Sequence, residues 1–386
     1  MAELERQPLD ASAFDDKLKK HVDPDAPAKL KMMAARGMLP APPEQTVKIL
    51  YQLHFDDDDK VVKAVREAID EMPAEVLGPA LQKADHAGLL DWVAERRGED
   101  DDIGAVVVRN QAADDRTVAE LAEEAGPELA DIIATNQVRV LRTPAIIESL
   151  YKNVEVSSAT IDGLIELARR NDVNLDGLPG LSAALKSNQD IHDSSAEDDE
   201  FNELLKEEAE RAEQEEKKRA KLEEEADQLT RSERERLREE LDSDGDEGKR
   251  QNLRAKIGDM SVAQKIRLST VGSREAVKIL VRDPNKLVHM AAIQSPRIKG
   301  GDIKKFASNK SLPDNVIEYI ANNRDWTRKY DVVKNLVHNP KTPLKDTLKF
   351  LKHLRVNDLR KVSRSRDVPH QVSRAAKSLM RKRTGA

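Results

Sequence analysis

Between residues 283 and 369 the chain carries six X-Pro pairs: Asp283-Pro284, Ser295-Pro296, Leu312-Pro313, Asn339-Pro340, Thr342-Pro343 and Val368-Pro369. Proline fits the first turn of a helix, where its missing N–H has no partner to lose, and it disfavours helix in the residue before it. Between the prolines lie short stretches of Val, Ile, Leu and Ala: Ala276 to Val281, Leu287 to Ile293, Ile303 to Ala307, Val316 to Ala321, Val332 to Val337, Leu344 to Leu354, Leu359 to Val362 and Val372 to Met380. Such a pattern predicts many short helices stacked side by side, an α-solenoid. Aromatic residues make up only 3% of the chain, so the core is built from aliphatic side chains, which suit helices better than sheets.

The helical stretches repeat. Asp302-Ile303-Lys304-Lys305-Phe306, leading to Leu312-Pro313, matches Asp358-Leu359-Arg360-Lys361-Val362, leading to Val368-Pro369. A second register relates Ile103–Leu150 to Asp302–Lys349 at a constant offset of 199, with identities at Asn110/Asn309, Asp115/Asp314, Ala122/Ala321, Asn136/Asn335, Val138/Val337, Thr143/Thr342 and Pro144/Pro343. Asn and Thr-Pro fall where helices start and stop. Helix starts are also expected at Asp59, where acidic residues oppose the positive end of the helix dipole, and after Ser261, a capping hydroxyl.

Charge divides the chain more sharply than its net of -7 suggests. Residues 249–386 hold 33 Lys+Arg against 11 Asp+Glu, whereas residues 1–248 hold 32 against 61. The expected organisation is all-α, with two α-solenoid domains joined by a charged helical linker. The domains are an acidic N-terminal repeat domain (1–190), a charged helical linker and hinge (191–248) and a basic C-terminal repeat domain (249–386). Within the linker, Glu207 to Arg211, Glu213 to Lys217 and Glu215 to Arg219 are spaced i,i+4, which predicts a solvated helical spacer. Leu222 and Leu229 are seven apart, but Leu237 breaks the heptad, so a coiled coil is the weaker reading.

Asp58-Asp59-Lys60-Val61-Val62-Lys63-Ala64-Val65-Arg66-Glu67-Ala68-Ile69 resembles the second helix of a HEAT-type repeat, in which an acidic turn precedes a Val-x-x-Ala pattern with an inward arginine. Asp283-Pro284-Asn285-Lys286-Leu287-Val288-His289-Met290-Ala291-Ala292 has a similar form, with His289 in place of Lys63 and Ala292 in place of Arg66. The resemblance implies a bacterial HEAT-like α-solenoid serving as a scaffold. Some related helical repeats, of the leucine-rich-repeat-variant group, hold iron and sulfur on a cysteine cluster; this chain has no cysteine, and no cofactor is implied.

Catalytic signatures are missing. No Gly-x-Gly-x-x-Gly, phosphate-loop, Gly-x-Ser-x-Gly or His-Glu-x-x-His pattern occurs. The eight histidines include no pair at i,i+3 or i,i+4, which predicts no metal site. Asp242, Asp244 and Asp246 imitate the start of a calcium loop, but the glycine and final glutamate it needs are replaced by Glu247 and Leu253. No window approaches 18 consecutive apolar residues, so a cytoplasmic location without a membrane span is expected. What remains is the basic surface. Lys304, Lys305, Arg360, Lys361, Arg364, Arg366, Arg374, Lys377, Arg381, Lys382 and Arg383 lie mostly between apolar positions and are expected to line one face. That face would dock an anionic partner, either an acidic protein or the chain's own acidic half, with self-association as a variant. The alternative is a nucleic acid gripped by its phosphates. Tyr319, Trp326, Tyr330 and Phe350 read as core rather than as base-stacking residues.

Overall fold

The computed structural model describes residues 6–178, 181–182, 199–224, 247–365 and 367–384. Among them are 24 α-helices and no strand. Two compact units form, Met1–Gly177 and Leu178–Ala386. The first holds α1 (Asp16–Val22), α2 (Ala28–Ala35), α3 (Pro43–Leu53), α4 (Asp59–Asp70), α5 (Ala74–Gln82), α6 (Ala87–Arg97), α7 (Asp101–Arg109), α8 (Asp115–Glu124), α9 (Pro127–Thr135), α10 (Gln137–Arg142), α11 (Ala145–Lys152) and α12 (Ser158–Arg170). The second holds α13 (Asp199–Glu224), α14 (Glu247–Asp259), α15 (Val262–Val271), α16 (Arg274–Leu280), α17 (Lys286–Ile293), α18 (Gly300–Ser308), α19 (Asp314–Asn322), α20 (Arg324–Thr327), α21 (Tyr330–His338), α22 (Leu344–Leu351), α23 (Val356–Arg364) and α24 (His370–Thr384).

In both units a helix packs on the next but one: α2 on α4, α3 on α5, α4 on α6, α5 on α7 and α6 on α8, then α15 on α17, α17 on α19, α21 on α23 and α22 on α24. Val, Ile, Leu, Ala and Phe side chains are buried between the helices, such as Val61, Val65 and Ile69 of α4 or Ile303, Phe306 and Ala307 of α18. Starts are capped as their sequences dictate. Asp58 accepts from the Lys60 N–H at 2.9 Å, and Ser261 and Gln264 form a reciprocal capping box. Arg66, placed inward by the HEAT resemblance, is exposed on α4.

The ends of the helices repeat more strictly than their faces. Asn110, Asn153, Asn309, Asn339 and Ser365 each close a helix, and each side-chain oxygen accepts the backbone N–H two residues on, at 2.8, 2.9, 2.8, 3.1 and 3.2 Å. One residue further, Ala113, Val156, Leu312, Thr342 and Val368 are buried, and the next helix begins immediately after Asp114, Ser157, Pro313, Pro343 or Pro369. Three of the asparagines also bind the repeat before them. The Asn110 amide donates to the carbonyls of Leu81 and Ala84 (2.7 and 2.9 Å), Asn153 to those of Ala122 and Ala125 (3.1 and 2.8 Å), and Asn339 to those of Ala307 and Asn309 (3.0 and 3.1 Å). The last carbonyls of a helix have no partner inside it, so each clamp satisfies buried acceptors while fixing the spacing between parallel helices.

The offset of 199 holds for α7 and α18 (starts 101 and 300), α8 and α19 (115 and 314) and α11 and α22 (145 and 344). Between them the two stretches differ. Asn136 caps α10, accepting the Arg139 N–H, whereas Asn335 lies inside α21 and donates to the Lys304 carbonyl at 3.0 Å. Val138 is accordingly exposed while Val337 is buried.

The charged stretch departs from the expected solvated spacer. α13 belongs to the second unit, whose boundary falls after Gly177 rather than at 190, and packs on α15. Phe201, Leu204, Leu205 and Ala212 are buried on one face of it, and Glu208 lies on the same face, fully buried. Positions i, i+3, i+4, i+7 and i+11 make a helical stripe that an overall count of charges conceals. The expected pairs Glu207–Arg211 and Glu213–Lys217 do form. The Leu222 side chain and residues 225–246, with Leu229, Leu237 and the acidic run from Asp242, lie outside the described residues.

Candidate functional site

The basic residues of the second unit fall into two groups, those paired with acids of neighbouring helices and those left over. The first group forms a ladder. Asp302, near the start of α18 and only 1% exposed, takes Arg274 of α16 through two bonds of 2.8 Å. Lys304 of α18 pairs with Asp331 of α21 at 2.9 Å, and Lys334 of α21 pairs with Asp358 of α23 at 3.2 Å. Each layer helix therefore lends a cation to the acidic first turn of the next, which also complements that helix's dipole. The Tyr330 hydroxyl donates to Asp358 at 2.5 Å, and this bond, with Lys334, holds the Asp358 carboxyl below its ordinary range. The Lys304 ammonium does the same to Asp331. A surface groove runs along this edge between α18, α21 and α23. Lys304, Lys329, Lys334 and Arg355 line it together with Asp331 and Asp358, and the Arg355 guanidinium stacks 4.8 Å from the Tyr330 ring centre.

The ladder stops at α23. Arg360, Lys361 and Arg364 are exposed there, and α24, which packs against α23, contains no acidic residue. Along α24, Arg374, Lys377 and Arg381 recur at i, i+3 and i+7 on one exposed face, with Lys382 beside them, while Val372 and Ala376 are buried on the other. Arg374 contacts His370 at 3.1 Å. Among the described residues Arg360, Arg364, Lys377, Arg381 and Lys382 have no carboxylate within 4 Å.

Of the eleven basic residues expected on one face, the structure therefore assembles seven on the α23–α24 hairpin: Arg360, Lys361, Arg364, Arg374, Lys377, Arg381 and Lys382. Lys304 and Lys305 are exposed on α18, apart from the hairpin in the order of packing, and Lys304 is engaged by Asp331. Arg383 does a structural job: its guanidinium donates to the carbonyls of Lys352 and Leu354, closing the C-terminal end of α22. Arg366 lies outside the described residues. Lys329, Lys334 and Arg355 were not singled out from the sequence. Their spacing carries no signal of its own, because they meet only through the stacking of α18, α21 and α23.

Phe350 is buried, while Tyr319 and Trp326 pack edge to face with centres 5.8 Å apart and are partly exposed. Among the described residues no helix is long and apolar enough to cross a membrane, and no cluster of three or more His, Asp or Glu is placed to hold a metal ion. Compared with protein-family models, curated proteins and solved structures, the chain matches none.

Proposed function

We propose that the chain is a non-catalytic scaffold of HEAT-like α-solenoid kind, whose α23–α24 hairpin docks an acidic protein surface. Packing of many helices on the next but one, and the asparagine-closed turn that recurs in both units, support the solenoid reading. The observation that carries the docking function is the end of the ion-pair ladder. Arg274, Lys304 and Lys334 each have an aspartate on the following layer helix, whereas Arg360 is followed by a helix without one. Cations in repeat positions that neighbours neutralise elsewhere are thus left facing solvent, and α24 adds more. Five side chains clear of carboxylates on two packed helices make a multivalent surface, which suits a partner of distributed negative charge.

The test uses the full chain and a variant carrying Arg360→Glu, Lys361→Glu, Lys377→Glu and Arg381→Glu, titrated with poly-glutamate and with duplex DNA across a salt series. The wild type is expected to bind poly-glutamate, with affinity falling as salt rises, and the variant to lose at least tenfold. Failure of the wild type to bind any polyanion at low salt would overturn the reading. Binding of DNA without poly-glutamate would replace the acidic protein with a phosphate backbone, whose affinity for six to ten contacts falls about 10³ to 10⁵ between 50 and 200 mM salt.

A further inference from the structure

α13 places its acids over cations supplied by successive repeats. Glu208, fully buried, accepts from the Ser273 hydroxyl at the start of α16 and pairs with Arg211 of its own helix. Two turns on, Glu215 is half-buried. Its burial raises the carboxyl's pKa, and the positive fields of Arg274 and Lys278 pull it back. Glu216 pairs with Arg297 at 2.7 Å. Acids of the neighbouring helices share in balancing these cations. Arg274 and Lys278, both buried, share Asp302, and Glu275 is shared by Lys278 and Arg250.

The face that α13 turns to this surface has a definite pattern: apolar at 201, 204 and 205, glutamate at 208, alanine at 212, glutamate at 215. The complementary pattern on the repeats is an apolar contact on α15 followed by the Ser273, Arg274 and Lys278 group and Arg297. Several features make α13 separable from the repeats. Among the described residues four apolar side chains of this 26-residue helix are buried, and Glu208, Glu215 and Glu216 add hydrogen-bonded and charged contacts. The pairs Glu207–Arg211 and Glu213–Lys217 act within the helix and persist when it leaves. An element of this kind can open as a unit at a free energy below that of the whole fold.

We infer that the surface of α15 and α16 beneath α13, edged by Arg297, is a docking site for an acidic amphipathic helix. α13 is its intramolecular occupant, and a helix of the same apolar, Glu, Ala, Glu pattern on a partner protein displaces it. This surface is separate from the α23–α24 hairpin and does not depend on the function proposed for it.

Hydrogen exchange on the full chain tests separability first: amides of α13 should exchange at least tenfold faster than those of α15 and α17. Equal protection would make α13 an integral part of the core and overturn the inference. The second measurement titrates a labelled peptide of residues 199–224 into the full chain and into Glu208→Gln/Glu215→Gln/Glu216→Gln. The variant should bind the peptide at least tenfold more tightly, and adding Arg297→Glu to it should remove most of the gain. Equal binding to wild type and variant refutes the displacement. An equal gain in duplex DNA binding refutes the claim that the site takes a helix. Charge reversal of the α23–α24 hairpin should leave the gain intact; loss of the gain there would place the peptide on the hairpin and refute the site.

Discussion

Replacing Asn339 by alanine removes one side chain that serves three backbone groups. Its amide donates to the carbonyls of Ala307 and Asn309, its oxygen accepts the Lys341 N–H at 3.1 Å, and the residue is 3% exposed, so water cannot take over these roles. At roughly 1 kcal/mol net for each buried hydrogen bond, Asn339→Ala is expected to destabilise the second unit by about 3 kcal/mol. Urea unfolding followed by tryptophan fluorescence measures it, in a Trp92→Phe background so that Trp326 of the second unit is the only reporter. With a slope of about 2 kcal/mol per molar urea, the midpoint should fall by about 1.5 M. Asn339→Asp keeps the acceptor but turns a second anionic oxygen toward two carbonyls. It should be at least as damaging at pH 7, and the deficit should shrink in acid as the carboxyl gains a proton to donate. A loss below about 0.5 kcal/mol for Asn339→Ala, or a benign Asn339→Asp, would refute the clamp as a determinant of repeat spacing.

Asp115 is held below its ordinary range by hydrogen bonds from Arg142 and Thr143 and by the charge of Arg139. Its stabilisation is therefore present above the unfolded value and is lost as pH falls through the lower folded one. Asp115→Asn should cost about 2 kcal/mol at neutral pH and flatten the acid limb of the stability–pH curve of the first unit, read by circular dichroism. Arg383→Ala should lower the stability of the second unit by about 1 kcal/mol in thermal unfolding, because the C-terminal carbonyls of α22 lose their donor, whereas Lys382→Ala should leave stability unchanged and weaken polyanion binding. Gly98→Ala should cost more than about 2 kcal/mol, since a Cβ there would lie 2.4 Å from the Ala94 carbonyl oxygen and 2.5 Å from Leu121 Cδ2; a neutral result in urea unfolding would show that α6 and α8 can separate there.

Helix class and most helix starts were legible in the sequence because prolines and acidic or hydroxyl caps act locally. The start of α4 after Asp58 and of α15 after Ser261 follow from the first turn alone. The asparagine-closed turn was equally local and went unread: Asn110, Asn153, Asn309 and Asn339 each stand four residues before Asp, Ser or Pro, a spacing as regular as the prolines themselves. α13 was misjudged because its burial depends on five positions of one face, while its composition reports all faces at once. The candidate surface was legible as charge and not as geometry. Nothing in the sequence separates Lys382, which is exposed and clear of carboxylates, from its neighbour Arg383, which caps α22, because the difference lies in a carbonyl pair about thirty residues away.

The same physical problem, helix ends whose carbonyls must be satisfied against other helices, is solved in two ways, and the second explains why a count of charged residues overstates the charge open to partners. Where the closing residue is Asn110, Asn153 or Asn339, its amide reaches the carbonyls of an earlier helix end directly. Where it is aspartate, a lysine pairs with it: Lys31 pairs with Asp56 at 2.7 Å and also donates to the Pro24 carbonyl at 2.7 Å, and Lys265 pairs with Asp283 at 3.3 Å. Other acids are spent on dipoles and ladders, as Asp115 is by Arg139 and Arg142, and Asp70 by Arg96. A charge used this way is fixed by stacking and contributes little to long-range attraction, since its partner lies within a few ångströms. Subtracting such pairs leaves the net charge of each half as it was and lowers the number of charges open to partners. In the second unit, that remainder includes the α23–α24 hairpin, where Arg360, Arg364, Lys377, Arg381 and Lys382 have no carboxylate within 4 Å among the described residues.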